Sequence, residues 1–241
     1  MVDFHTHILP GIDDGAEDIE TSLALLKREC EQGIDTVYLT PHFYPTDMSL
    51  NEFLQNRDEA FEKLKTAIDQ TGDEELSSID LRLGAEIYYF PGIADATQLT
   101  DASMEKLPCI LIEPPMEHFR ESMLRDIEKI NSTMGLVPII AHVDRYCRVV
   151  GDYSFFDAIK GRKILVQCNG TFFINVNTEA EALEYLKSGA IHILGSDCHN
   201  LTNRVPNIGY AKAAIEEKGY GEYYTSLEAK SERLVAAGRR E

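Results

Sequence analysis

Five of the seven histidines stand in short motifs, each just past an apolar run. The motifs read Asp3-Phe4-His5-Thr6-His7, Thr40-Pro41-His42, Ala141-His142 and Ser196-Asp197-Cys198-His199. Asp14, Glu86 and Glu113 occupy comparable places. Imidazole and carboxylate together are the donor set for zinc, manganese and iron. So many donors behind apolar runs point to a catalytic centre with more than one metal ion.

Each motif has a bland alternative. His5-x-His7 puts two imidazoles on one side of an extended segment, because side chains alternate with period two. Alone, such a pair is a weak signal. Asp13-Asp14-Gly15 is ordinarily a turn leading into a helix. His42 alone would pass as a structural histidine. Glu86, in Gly84-Ala85-Glu86, and Glu113, after Ile110-Leu111-Ile112, follow apolar strands. A carboxylate buried there is costly unless it is paired or binds metal. His142 and Asp197 follow apolar runs in the same way. Taken together, the bland readings require eight polar groups to reach one rim by chance.

Other residues carry less. His118 and His192 fit no pattern and read as structural, and Tyr88-Tyr89-Phe90 reads as core or rim packing. Arg145 and Arg204 suit a phosphate clamp, since guanidinium binds phosphate bidentately, and suit a surface salt bridge equally. Cys198 and Arg204 fit the C-x5-R pattern of thiol-based phosphatases. No glycine lies between them to let backbone amides close on a phosphate, so the match reads as accidental.

The elements that must position these groups follow from periodicity. Seven apolar runs read as strands: 2–4, 36–39, 80–83, 109–112, 137–140, 164–167 and 191–194. Helical spacing marks 17–32, ended by Gly33, then 50–68, 118–133, 178–187 and 211–217. Residues 69–78 read as a polar loop. Alternating strands and helices predict a parallel α/β architecture, either a closed barrel or an open sheet. His5 and His7 follow the first strand, His42 the second and Glu86 the third. Glu113 ends the fourth, His142 follows the fifth, Asn169 the sixth, and Asp197 and His199 the seventh. Active sites of α/β barrels are built at these C-terminal strand ends.

A length of 241 residues suits one such domain, with no internal linker or repeat. The net charge of -18 and the lack of a Lys/Arg cluster argue against nucleic acid as a partner. The first motif begins at Asp3, so no leader is expected, and no apolar stretch reaches the roughly 18 residues of a membrane span. Five scattered cysteines without a CxxC pair predict reduced thiols in the cytoplasm.

The full set of motifs resembles the polymerase and histidinol phosphatase (PHP) superfamily. It comprises Asp3-Phe4-His5-Thr6-His7-Ile8-Leu9-Pro10-Gly11-Ile12-Asp13-Asp14-Gly15, Thr40-Pro41-His42, Gly84-Ala85-Glu86-Ile87-Tyr88-Tyr89, Leu111-Ile112-Glu113, Ala141-His142-Val143-Asp144-Arg145-Tyr146 and Gly195-Ser196-Asp197-Cys198-His199-Asn200. Within that superfamily the chain is similar to the bacterial manganese-dependent protein-tyrosine phosphatases of capsule and exopolysaccharide operons.

The resemblance implies a distorted (β/α)7 barrel of parallel strands, one domain over residues 1–241, and three divalent ions, with manganese favoured over iron or zinc. It assigns His5, His7, Glu86 and Asp197 to one metal, and Glu86, Glu113 and His142 to a second. Asp14, His42 and His199 fall to the third, Asp14 being chosen over Asp13 because it directly precedes the glycine. Arg145 and Arg204 match arginines that contact phosphate. Asp144 stands where relatives often carry glutamate. The implied substrate is a tyrosine-phosphorylated protein such as a bacterial tyrosine kinase. A small-molecule phosphatase of the histidinol-phosphate type and a metal-binding module without turnover are the alternatives.

Overall fold

The computed structural model describes residues 1–237; residues 238–241, part of the expected domain, lie outside the described residues. Nine short parallel strands form the frame. They are β1 (Val2–Thr6), β2 (Thr36–Leu39), β3 (His42–Phe43), β4 (Asp80–Leu83), β5 (Glu86–Tyr88), β6 (Cys109–Glu113), β7 (Val137–Ile140), β8 (Leu165–Asn169) and β9 (Ile193–Gly195).

Hydrogen-bonded order is β1-β2-β4 in one sheet and β3-β5-β6-β7-β8-β9 in the other. β2 and β3 are two halves of one stave, interrupted at Thr40-Pro41. β4 and β5 are halves of another, interrupted at Gly84-Ala85. Pro41 has no amide hydrogen for a ladder, which is why its stave breaks there. Nine strands therefore make seven staves. The ring closes where Thr6 bridges Cys198 in parallel, with the Asp197 amide donating to His5 O at 2.8 Å and the His7 amide to Cys198 O at 2.9 Å. This is a distorted parallel barrel, as the resemblance implies.

Side-chain alternation decides what faces inward. On β6, Ile110 and Ile112 pack into the outer core beneath the helices, while Cys109 and Leu111 join an inner cluster with Phe4, Tyr38 and Ile139. Glu113 shares the parity of Leu111, so it points into the barrel mouth. The Arg82 guanidinium is buried among these inner residues, bonded to the Tyr38 hydroxyl at 2.9 Å and to Asp80 Oδ2 at 2.6 Å. On β1 the pairing slips between Asp3 and Thr6. This bulge lets Phe4 stay in the inner cluster while His5 also turns toward the mouth.

Helix Ile19–Glu31 begins at Asp18, whose side chain accepts the Thr21 amide at 2.8 Å, and Gly33 follows it at φ +77°. Residues 69–78 are not a loop. Helix Leu50–Thr71 runs into them, and Glu74–Ser78 is a further helical turn capped by Asp73, with Leu76 buried. A five-residue element is too short to show periodicity. Helices Val143–Val150, Ser154–Ile159, Thr171–Ile174 and Gly221–Ala237 were likewise not expected from the sequence. Among the described residues no helix is long and apolar enough to cross a membrane.

Candidate metal centre

Glu86 is the hub of the barrel mouth. Its carboxylate is fully buried, and its oxygens lie 3.2 Å from His5 Nε2, 3.3 Å from His7 Nε2, 2.9 Å from His42 Nδ1 and 2.9 Å from His142 Nε2. The β3–β5 register pairs His42 with Glu86 directly. Around this hub three groups of donors converge. His5 and His7 face each other at 3.0 Å, with Asp197 Oδ1 at 3.7 and 3.6 Å from them. His142 Nε2 lies 3.4 Å from Glu113 Oε1. Asp14 Oδ1 lies 3.4 Å from His42 Nε2 and 3.3 Å from His199 Nε2.

These groups have the spacing that cations require. His7, Asp14, His42 and His199 each offer a donor atom within 4.8 Å of the others, as do His5, His7 and Glu86, and also His42, Glu86 and Glu113. Both Glu86 oxygens, both His142 ring nitrogens, His42 Nδ1 and His199 Nε2 are buried, and the short contacts among them are not aligned as hydrogen bonds. Buried polar atoms are rarely left unbonded, and an array of them pointing at common centres fits coordinated ions. The charge balance agrees. Burial works against charge on Glu86, yet His5, His142 and His42 hold its carboxyl well below the usual range. Burial also opposes charge on His7 and His142. The carboxylates Asp13 and Glu86 outweigh it at His7, and Glu113 and Glu86 at His142, raising each to about 10. The buried carboxylates thus call for positive charge beside them, a role that divalent cations fill.

Two ligand candidates sit on unusual backbone. His142 has φ +29° and Asp197 φ +54°, a region costing non-glycine residues on the order of 1–3 kcal/mol. Each begins the turn leaving a strand, where the left-handed kink re-aims the side chain into the mouth. Gly195 is required by crowding: a Cβ there would stand 2.5 Å from His5 Cβ.

A second ring of residues holds the imidazoles in place. Asp13 Oδ2 accepts from the His42 amide at 3.0 Å and lies 2.7 Å from His7 Nδ1. Asp13 and Asp14 therefore divide the work: Asp13 orients His7 from behind and Asp14 reaches into the mouth. Gln167 Oε1 lies 3.2 Å from His5 Nδ1 and accepts the His142 amide at 2.6 Å. Asn169 donates to Asp197 Oδ2 at 3.1 Å. Such partners fix which ring nitrogen faces a metal. Sequence reading missed the roles of Asp13 and Gln167. Gln167 shares the inward parity of Asn169 on β8, which was the available signal. Asp144 lies behind this layer, its carboxylate accepting the Asn169 amide at 2.8 Å.

Arg204 Nη2 donates to Asp197 Oδ1 at 2.6 Å, and Arg145 Nη1 lies 3.5 Å from Asp197 Oδ2. Both guanidinium groups thus border the cluster while remaining partly exposed. His118 is exposed, and His192 Nδ1 accepts the Val166 amide at 3.1 Å, so neither joins the donor cluster.

Behind the site, Asp3 and Glu29 form a fully buried acid pair. Asp3 Oδ1 accepts the His5 amide at 3.1 Å and the Ser196 amide at 2.9 Å, joining β1 to the end of β9. The Cys198 thiol donates to Glu29 Oε1 at 3.7 Å, so its sulfur points away from Arg204 and into the wall. Burial, then Glu29 and Asp3, push that thiol well above its usual range, which removes it as a nucleophile. Burial and the Asp3 charge likewise raise Glu29 well above 4.5. An acid raised on folding keeps its proton while the unfolded chain loses it, so stability declines as pH rises above 4.5 toward the folded value. Glu29→Gln is expected to flatten that decline, which amounts to about 1.4 kcal/mol per pH unit for one such proton. Parallel denaturation profiles for the two proteins across the window would refute the buried proton.

The fold and site define a parallel α/β barrel with a polar, metal-competent mouth at the C-terminal ends of its strands. The chain belongs to the CpsB/CapC family of capsular polysaccharide synthesis, which matches residues 1–233. It is 27% identical to the tyrosine-protein phosphatase CpsB of Streptococcus pneumoniae over 241 residues, covering 92% of this chain and 91% of that one. It is 26% identical to the tyrosine-protein phosphatase YwqE of Bacillus subtilis over 211 residues, covering 85% of this chain and 79% of YwqE. A structure from work on YwqE and CpsB, described there as metal-dependent tyrosine phosphatases, superposes with a TM-score of 0.83 at 23% identity, covering 98% of this chain and 95% of that one.

Proposed function

We propose that this chain is a metal-dependent protein-tyrosine phosphatase acting as one domain over residues 1–241. The observation that carries the reading is the convergence of His5, His7, Asp14, His42, Glu86, Glu113, His142, Asp197 and His199 beside two partly exposed arginines. The phosphatase names of CpsB and YwqE support the substrate class.

Three divalent cations are proposed, manganese first. His5, His7, Glu86 and Asp197 would hold one; Glu86, Glu113 and His142 the second; Asp14, His42 and His199 the third. When bound, such ions act as Lewis acids toward a phosphoryl oxygen and acidify water. The chain's own part is orientation and charge. Asp13 and Gln167 fix His7 and His5, and Arg145 and Arg204 present guanidinium groups to the equatorial phosphoryl oxygens, where charge gathers in phosphoryl transfer. Phenol is a good leaving group, with a pKa of about 10, so a strong general acid is not required.

The proposed substrate is a tyrosine-phosphorylated bacterial kinase that controls capsule or exopolysaccharide synthesis, and the proposed compartment is the cytoplasm. Five free cysteines fit a reducing environment. A chelator is expected to abolish hydrolysis of a phosphotyrosine peptide and manganese to restore it, while Cys198→Ser keeps most activity. Activity that survives chelation, or a folded and fully metallated Cys198→Ser protein without activity, would overturn the metal-based reading. Preference for histidinol phosphate over phosphotyrosine would overturn the substrate.

A further inference from the structure

Two tyrosines stand over the mouth. Tyr44 lies two residues beyond His42, and Tyr88 two residues beyond Glu86. Period-two alternation therefore gives each tyrosine the parity of the ligand candidate below it. Phe43 and Ile87, between them, turn instead into the outer core. Because β3 and β5 pair His42 with Glu86 and Phe43 with Ile87, the next step along each strand brings the tyrosines side by side. Their ring centroids are 5.5 Å apart with planes tilted by 44°, and the Tyr44 ring lies 5.2 Å from the His42 ring. Both side chains are half-buried, and neither hydroxyl is hydrogen-bonded within the protein among the described residues. Tyr89, next in sequence, is occupied elsewhere: its hydroxyl donates to Asp126 at 3.2 Å.

A phosphoryl group held at the cluster by Arg145 and Arg204 must extend its ester substituent out of the mouth. On the stave carrying His42 and on its neighbour carrying Glu86, the first side chains beyond the ligands are these two aromatic rings. Aromatic pairs favour tilted or offset contacts at centroid separations of about 4.5–7 Å, the geometry in which a third ring would join the existing pair.

We propose that Tyr44 and Tyr88 form an aromatic wall that receives the aryl ring of an aryl phosphate and so sets preference for aryl over alkyl phosphate esters. This rests on the phosphatase reading above. It assigns specificity to the rings and not to the hydroxyls.

The test uses the manganese-loaded full chain and two non-hydrolysable probes, phenylphosphonate and methylphosphonate, with binding measured by calorimetry. Wild-type protein is expected to bind the phenyl probe more tightly. Tyr44→Leu and Tyr88→Leu, which keep apolar bulk without a ring, are expected to lower the phenyl-to-methyl affinity ratio on the order of fivefold each. Tyr44→Phe and Tyr88→Phe should restore it. Turnover should follow the same pattern, with the loss for a phosphotyrosine peptide falling mainly on KM. An unchanged ratio in both leucine variants would overturn the wall. Phenylalanine variants as impaired as the leucine ones would also overturn it, by assigning the effect to the hydroxyls. If wild-type protein binds neither probe and hydrolyses neither phosphotyrosine nor phosphoserine peptide, the phosphatase reading itself fails. Hydrolysis with an unaltered ratio would sink the wall alone.

Discussion

Glu86→Ala is expected to lose more than one equivalent of metal and more than about 100-fold in kcat/KM, because the side chain touches so many ligand candidates at once. Its two oxygens lie within 3.3 Å of His5, His7, His42 and His142, and none of its surface is offered to water. Removing it takes away the shared anion and leaves its four neighbouring imidazoles as neutral donors with less negative charge to hold a cation. His42→Ala is the control. It borders the same carboxylate from one side, with Asp14 at 3.4 Å and Glu113 at 3.9 Å, and is expected to lose about one equivalent because an imidazole nitrogen holds one ion where the shared carboxylate touches several donor groups. Elemental analysis of both purified proteins decides the matter. Full occupancy in Glu86→Ala would remove Glu86 from the ligand set.

Arg204→Ala and Arg145→Ala are each expected to lower kcat/KM for a phosphotyrosine peptide with metal content unchanged. A charge-assisted bidentate contact to phosphate contributes on the order of 2 kcal/mol, equivalent to roughly 30-fold in rate. Arg204 now bonds Asp197 at 2.6 Å, so a bound phosphate would compete with that carboxylate for its fork. Asp197 keeps Asn169 and the nearby histidines when Arg204 is removed, which is why metal should stay. Arg204→Lys should recover little, since a lysine is a point charge without the planar fork. Normal kinetics in either alanine variant would make that arginine a surface residue. Loss of metal from Arg204→Ala would instead make it a support for Asp197.

The strand ends were legible because each apolar run stops where a polar donor begins, and the seven expected runs fall on the barrel staves. What eluded the pattern has physical causes. β3 and β5 have two and three residues, too few for a period, and lie beyond Pro41 and Gly84-Ala85. The slip on β1 cannot be read from alternation, because it is the place where alternation fails. Asp13 and Asp14 are adjacent acids in one turn, and only the fold separates the residue that braces His7 from the one that faces His42 and His199. Gln167 looks like the polar end of a strand until His5 and His142 meet it. Helix Val143–Val150 is separated from its strand by two residues and has only eight residues, about two turns, too few for a helical period to stand out.

The closure of the barrel at Thr6 and Cys198 has a consequence in time as well as in space. His5 and His7 leave the ribosome before every other stave of the barrel, and Asp197 and His199 leave with the last one. Backbone bonds from the first strand to the last are what bring the two pairs together. During synthesis the early histidines therefore wait, without their late partners, through the emergence of every intervening stave. A nascent chain can bring Glu86, Glu113 and His142 together early, but the donor groups that need Asp197 or His199 are completed only when the last stave arrives.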